Sequence, residues 1–211
     1  MAIYVDSASP DDVRQAVELG FVVGVTTNPK LLGRVGQPAE RLLPELCDIV
    51  GDGIVFYQLT AARVEERKRE ALQIAGLRPG RIGLKIPCTT ENLGLVPDLT
   101  KEEFLCGVTA VFSAYQALLA CMVGADYVLP YVNRATRQLG DGIGLVEEIA
   151  DVIAVTGAST EILAASFHNL GEVVEATRAG ADHVTIPLEL LSRMGDHPLS
   201  EQAIEEFAQF V

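Results

Sequence analysis

Short runs of β-branched and other apolar residues alternate along this chain with longer stretches whose apolar residues recur at helical spacing. The first apolar run is Ala2 to Val5. A helical pattern follows from about Pro10 to Leu19, with Ser9 placed to cap it and Pro10, Asp11 and Asp12 suited to a first turn. The second run, Phe21 to Val25, ends in Thr26-Thr27-Asn28-Pro29, where Asn-Pro signals a turn, and helical spacing resumes from Pro38 to Val50. Ile54 to Leu59 precedes a charged helix from Ala62 to Ala75. Ile82 to Ile86 precedes a helical piece near Glu91 to Leu95 and a polar link from Pro97 to Glu103. Phe104 to Phe112 is followed by an alanine-rich helix, Ser113 to Val123. Tyr127 to Val132 is followed by a glycine-bearing loop and a helix from Leu145 to Val155. Glu161 to Ala165 leads to a helix from Leu170 to Ala179, and His183 to Ile186 leads to short helical pieces.

Strand–helix units repeated in this way predict an α/β fold, a (β/α)8 TIM barrel. The strands read as nearly continuous apolar runs, as expected of a parallel sheet covered on both faces. A doubly wound open sheet is the main alternative. No linker-like or low-complexity stretch divides the chain, so residues 1–211 are expected to form a single barrel domain, with 199–211 as an amphipathic helical tail.

Composition narrows the function classes. The formal charge is −13 and the basic residues are scattered, which argues against nucleic acid and anionic membranes as partners. A phosphorylated substrate would need a local basic pocket. Cys47, Cys88, Cys106 and Cys121 lie in apolar contexts with no zinc-type pairing, as small core residues in a reducing compartment would. No apolar run approaches a membrane span, and Met1 to Asp6 already reads as a strand and not as a signal peptide, so a cytoplasmic protein is expected. Gly140-Asp141-Gly142-Ile143-Gly144 matches neither a dinucleotide nor a P-loop pattern and reads as a loop.

The chemistry sits where barrel strands end. Only four lysines are present, and Lys85 alone has apolar neighbours on both sides, in Gly83-Leu84-Lys85-Ile86-Pro87. An enclosed ammonium tends to lose its proton, and a neutral amine can attack a carbonyl to form a Schiff base. A strand-end lysine that snorkels to water fits the same stretch. The other strand ends supply Asp6, then Thr26, Thr27 and Asn28, then Gln58 and Thr60, then Thr109, Tyr131 with Asn133 and Arg134, and Ser166 with His168. Each has a plain reading: Asp6 as a helix cap, Tyr131 as a core aromatic, Arg134 in a surface ion pair, and His168 and His183 as solvated or structural. As a set they look like a substrate cavity.

Several of these stretches together are familiar: Tyr4-Val5-Asp6, Gly24-Val25-Thr26-Thr27-Asn28-Pro29, Leu84-Lys85-Ile86-Pro87, Val108-Thr109-Ala110-Val111-Phe112-Ser113 with Gln116-Ala117, Pro130-Tyr131-Val132-Asn133-Arg134 and Leu163-Ala164-Ala165-Ser166-Phe167. In this order they resemble the transaldolase family, most closely its small, fructose-6-phosphate aldolase-like group, from residue 3 to about 190. The resemblance implies a (β/α)8 barrel and class I aldol chemistry with no metal and no organic cofactor. Lys85 would form the Schiff base, and Asp6 would assist proton transfer at the bond being broken. Asn28 and Ser166 would hold the C1 hydroxyl end, with Thr26 beside them, and Arg134 and His168 would meet the phosphate of a sugar phosphate.

Transaldolases proper usually carry a glutamate where this chain has Gln58 and a phenylalanine where it has Tyr131. The aldolase-like group resembles this chain at both. A glutamine cannot ionise, so a phenol near the catalytic water would act as acid and base, with Gln58 and Thr109 orienting that water. The expected activity is therefore that of an aldehyde-lyase acting on fructose 6-phosphate or related ketoses, with a transaldolase as the alternative. The chain departs from the family at His168, where Lys or Arg is common. Gly107 and Leu129, expected to line or border the cavity, depart from the aldolase-like group. Relatives form ring-shaped assemblies, so a homo-oligomer, a pentamer or decamer, is expected.

Overall fold

The computed structural model describes residues 1–210. Eight strands, β1 (Ala2–Asp6), β2 (Val22–Thr26), β3 (Val55–Gln58), β4 (Ile82–Pro87), β5 (Cys106–Val111), β6 (Tyr127–Pro130), β7 (Glu161–Ala164) and β8 (His183–Ile186), pair in parallel and in sequence order, and β8 closes on β1. Between and after them run α1 (Pro10–Glu18), α2 (Pro29–Val35), α3 (Ala39–Val50), α4 (Val64–Ala75), α5 (Thr90–Leu93), α6 (Val96–Lys101), α7 (Ala114–Met122), α8 (Val132–Leu139), α9 (Gly142–Thr156), α10 (Leu170–Arg178), α11 (Leu188–Leu191) and α12 (Pro198–Ala208). The barrel reading holds, and the open-sheet alternative does not. No helix among the described residues is long and apolar enough to cross a membrane.

Side chains alternate along each strand, and the two faces make two cores. Val5, Val25, Val55, Leu84, Ile86, Val108, Val128, Ile162, Val184 and Ile186 point outward and are buried with the helices in one large cluster. The inward residues Tyr4, Phe56, Leu129 and Leu163 form a second, smaller cluster, joined at its edge by Tyr127. These large residues fill the barrel because small ones face them. A Cβ on Gly83 would meet Phe56 Cε1 at 2.5 Å, and one on Gly107 would meet Leu129 Cδ1 at 2.8 Å. Gly107 and Leu129 therefore belong to this filling layer and not to the cavity wall, contrary to the sequence expectation.

Three helices stand where the sequence pattern indicates turn, link or strand. At α2, Asn28 Oδ1 accepts the amides of Lys30 and Leu31 at 3.1 Å each, and Pro29 occupies the first turn. The Asn-Pro pair starts a helix there instead of a reverse turn. At α6, Pro97 again sits in the first turn, and Val96 and Leu99, three apart, are buried, so the polar link is helical. At α8, the expected strand to Val132 stops at Pro130. Val132 and Ala135, again three apart, are buried, and helix begins at Val132. At α2 and α6 proline occupies the helix start, the one helical position where its missing amide costs nothing, whereas Pro130 ends β6 two residues before α8. The Gly140–Gly144 stretch is a joint between helices: Gly140 ends α8 in the left-handed region, and Asp141 caps α9 through Gly144 N. The expected tail is largely α12, and its last residue, Val211, lies outside the described residues.

Candidate active site

The filling layer sets the depth of the site. Two residues beyond it on the same inward face come Asp6 after Tyr4, Gln58 after Phe56, Lys85 after Gly83, Thr109 after Gly107, Tyr131 after Leu129 and Thr185 after His183. Register holds the neighbours together: Asp6 pairs with Thr26, Gln58 with Lys85, and Lys85 with Gly107. The result is a cavity of about 630 Å³ at the C-terminal end of the barrel, of a size that suits a small-molecule substrate. Asp6, Thr26, Asn28, Gln58, Lys85, Tyr131, Arg134, Ser166 and His168 all line it, nine of the ten residues to which the family resemblance gives a role, while the strand-end residues Thr27, Thr60 and Asn133 do not line it. The tenth, Thr109, is fully buried and reaches the cavity through Tyr131, whose hydroxyl lies 3.1 Å from Thr109 Oγ1.

Lys85 is 4% exposed, and among the described residues no carboxylate pairs with its ammonium group. Burial pushes its pKa down to about 8, and the charge of Asp6 opposes that shift without cancelling it. At pH 7 roughly a tenth of such amines are neutral, against well under a thousandth for an ordinary lysine. The amine is therefore an available nucleophile.

Burial raises the Asp6 pKa, while the Lys85 charge and a hydrogen bond from Thr26 pull it back. Thr26 Oγ1 lies 2.8 Å from Asp6 Oδ1 and 2.6 Å from Thr185 Oγ1. A hydroxyl has one proton to give. With Thr26 donating to the Asp6 carboxylate, Thr185 must donate to Thr26, so the two threonines form a one-way chain that orients the acid. Thr185 is 1% exposed. The sequence reading passed over it, although it is the hydroxyl within the otherwise apolar run Val184-Thr185-Ile186.

Tyr131 sits between strand and helix. Burial raises its pKa, with the Thr109 hydrogen bond and the Arg134 charge opposing, so the phenol keeps its proton at neutral pH. Phe112 packs edge-on at 5.7 Å between ring centroids, and the Arg134 guanidinium carbon lies 4.9 Å from the ring centroid on its face. The plain reading of Arg134 as a surface ion pair does not hold, since no carboxylate pairs with it among the described residues.

Backbone geometry marks two positions. Ser166 has φ 68°, left-handed for a residue with a Cβ, at a cost of about 1–3 kcal/mol. Its carbonyl accepts Asn133 N at 2.8 Å. Glu172 ties the same region, accepting Asn133 Nδ2 at 2.7 Å and His168 N at 2.8 Å. Ala110, φ 59°, is the bulged residue where the β5–β6 register shifts between Thr109 and Val111, beside the Tyr131 contact. Asn28 spends its carbonyl on the α2 cap, which leaves its amide NH2 for a ligand. Two further cavity residues, Lys30 and Arg34, were missed because α2 was not anticipated.

Comparison with known proteins adds three findings. The family described as Transaldolase/Fructose-6-phosphate aldolase matches residues 3–211. A protein of Exiguobacterium sibiricum named "Probable transaldolase" is 40% identical over 207 residues, covering 98% of this chain and 96% of its own. One of Listeria monocytogenes named "Probable transaldolase 1" is 37% identical, with the same coverage. Among solved structures, flavocytochrome b2 superposes with a TM-score of 0.61 at 14% identity, covering 91% of this chain and 57% of that one, a likeness of fold alone.

Proposed function

The chain belongs to the transaldolase and fructose-6-phosphate aldolase family, and from that premise we propose that it is a class I aldolase, an aldehyde-lyase that cleaves and forms the C3–C4 bond of fructose 6-phosphate or related ketoses with dihydroxyacetone as donor. The observation that carries the reading is the buried Lys85 amine, pushed down to about 8 and facing Asp6 in a cavity at the strand ends.

In this reaction the neutral Lys85 amine adds to the C2 carbonyl, and loss of water gives the iminium. Asp6 takes the proton of the C4 hydroxyl as the C3–C4 bond breaks. The bonding pair flows into the iminium to give an enamine, and the aldehyde leaves. A proton returned to C3 through a water held by Tyr131 restores the iminium, and a second water hydrolyses it to free Lys85 and dihydroxyacetone. Thr109 fixes the Tyr131 hydroxyl at 3.1 Å. Asn28 and Ser166 hold the C1 hydroxyl, and Arg134 and His168 meet the phosphate.

Gln58 supports the lyase assignment. It stands beside Lys85 in register and cannot ionise, so proton transfer to the enamine falls to the phenol and its water. The second reading, a transaldolase that passes the dihydroxyacetone unit to an aldose phosphate, is favoured by the printed names of the relatives. The two are told apart by incubating the protein with fructose 6-phosphate alone. Steady release of dihydroxyacetone and glyceraldehyde 3-phosphate is expected. A strict need for erythrose 4-phosphate makes the protein a transferase.

Assembly is part of the same reading. Leu199, Ile204, Phe207 and Phe210 at the C-terminal helix and Tyr115 and Met122 on α7 are exposed apolar side chains, which supports a homo-oligomer. Light scattering that gives a monomer mass at micromolar concentration would remove it.

A further inference from the structure

The cavity is charged against the grain of the molecule. The chain holds 16 lysines and arginines against 29 acids. The cavity wall takes in Lys30, Arg34, Lys85 and Arg134, with Asp6 as its acid. Outside the cavity Arg14, Arg63, Lys68 and Arg78 each hold a carboxylate within 3.1 Å. Among the described residues no carboxylate pairs with Lys30, Arg34 or Arg134, and all three are exposed at the mouth. Unneutralised cations gathered around one concave cavity of an acidic molecule focus anions there.

Topology puts these cations on two walls. Lys30 and Arg34 lie on α2, after β2, and Arg134 lies on α8, after β6. In a closed barrel of eight strands in sequence order, β2 and β6 are diametrically opposite. Lys30 and Arg34 are four residues apart in a helix and so stand one above the other on the same face. Leu31 and Arg34 also border an adjoining hollow of about 530 Å³ reached past Asp6 and Pro187, so Arg34 stands on the rim between the two spaces.

We propose that Lys30 and Arg34 form the second half of a phosphate-binding site, closing on the anion from the wall opposite Arg134, and that this pair makes the protein selective for phosphate monoesters. The inference rests on the aldol reading of the cavity and deepens it. A guanidinium is charged at every working pH and presents a planar pair of donors to phosphate oxygens, which an imidazole such as that of His168 does not. The fixed charge absent at His168 is thus supplied across the mouth.

Two measurements on the full-length protein test it. Calorimetric titration with inorganic phosphate reads the anion site without any catalysis. Arg34→Ala, Arg34→Gln and Lys30→Ala with Arg34→Ala are expected to weaken phosphate binding by about tenfold or more, and Arg34→Lys to keep most of it. The second is the ratio of kcat/KM for dihydroxyacetone addition to glyceraldehyde 3-phosphate over addition to glyceraldehyde. It is expected to fall about tenfold in the Arg34 variants and to stay put in Arg14→Ala, which removes the same charge from outside the barrel. Unchanged phosphate affinity together with an unchanged ratio in both Arg34→Ala and Arg34→Gln overturns the proposal, and a loss of phosphate binding in Arg134→Ala that no Arg34 variant shares would assign the whole site to Arg134. Weakened phosphate binding in a protein that never forms a Lys85 adduct would leave this inference standing and remove the aldolase reading instead.

Discussion

The two ends of the barrel interior are built from the same strands, two residues apart, and they follow opposite rules. At the floor, Tyr4, Phe56, Tyr127 and His183 meet edge to face, with ring centroids 5.5 to 6.2 Å apart. The polar groups of the floor that hydrogen bond are matched. Ala2 N donates to His183 Nδ1 at 3.0 Å, which leaves the proton on Nε2 to be donated to Glu161 at 3.0 Å. At the mouth, Ser166 is held in a left-handed backbone, and among the described residues neither Lys85 nor the three exposed cations have a carboxylate partner. One end is satisfied and the other is not. The floor supplies packing that tolerates an unsatisfied mouth, and the mouth holds groups whose unmet interactions are available to a substrate.

That contrast can be broken by exchanging the kind of damage done at each end. The largest effect is expected from Lys85→Met. Removing the nucleophile should cost on the order of 10⁴-fold or more in kcat, while the fold becomes more stable. The native pKa of about 8 lies below that of an unfolded lysine, so wild type carries a stability deficit that is full below pH 8 and fades as pH rises toward the unfolded value. Chemical denaturation of Lys85→Met at pH 7 should therefore show a gain of up to about 3 kcal/mol, reduced by the charge left alone on Asp6. A large loss of stability would mean that Lys85 is structural.

Phe56→Ala should do the reverse. It opens a hole in the filling layer and should cost about 3–5 kcal/mol in a denaturation series. The surviving folded protein should still form the Lys85 adduct. A variant with intact stability would show that the floor does not carry the barrel.

Tyr131→Phe comes next. It keeps the ring that packs on Phe112 and Arg134 but removes the hydroxyl fixed by Thr109. A fall of about 10²-fold or more in kcat is expected, with stability within about 1 kcal/mol of wild type. Equal kcat would take the acid–base role away from the phenol.

The smallest effect is in the pH profile. Lys85 must lose its proton to react, so kcat/KM should rise about tenfold per unit below pH 8 and level off above it. A rate that keeps climbing to about pH 10 would mean an ordinary, hydrated lysine.

Much of the floor-and-mouth plan is legible in the sequence, because buried parallel strands leave a strong mark. Runs such as Val22–Thr26 and Ile82–Pro87 pack against helices on one face and fill the barrel on the other, so they read as apolar and end in polarity. Asp6, Gln58, Lys85 and Tyr131 are found on that rule. The rule fails where layer depth matters. Gly107 and Leu129 lie one layer too deep to touch a substrate, and depth depends on the stagger between strands, which no single strand records. It fails again at proline. Pro29 and Pro97 stand in the first turns of α2 and α6, and Pro130 ends β6 just before α8; reading them as turn, link or mid-strand hides all three helices. Lys30 and Arg34 disappear with α2. Thr185 is hidden for another reason: its polarity is used up in a hydrogen-bond chain to Asp6 that only the closed barrel assembles.

The central claim is that the mouth is built around a reactive amine at Lys85, and trapping tests it most directly. Incubation with dihydroxyacetone and borohydride, followed by peptide mass analysis, should add one reduced three-carbon unit to the peptide carrying Lys85, with Lys30, Lys68 and Lys101 unmodified under the same conditions. An unmodified Lys85, or full turnover in Lys85→Met, would contradict the account.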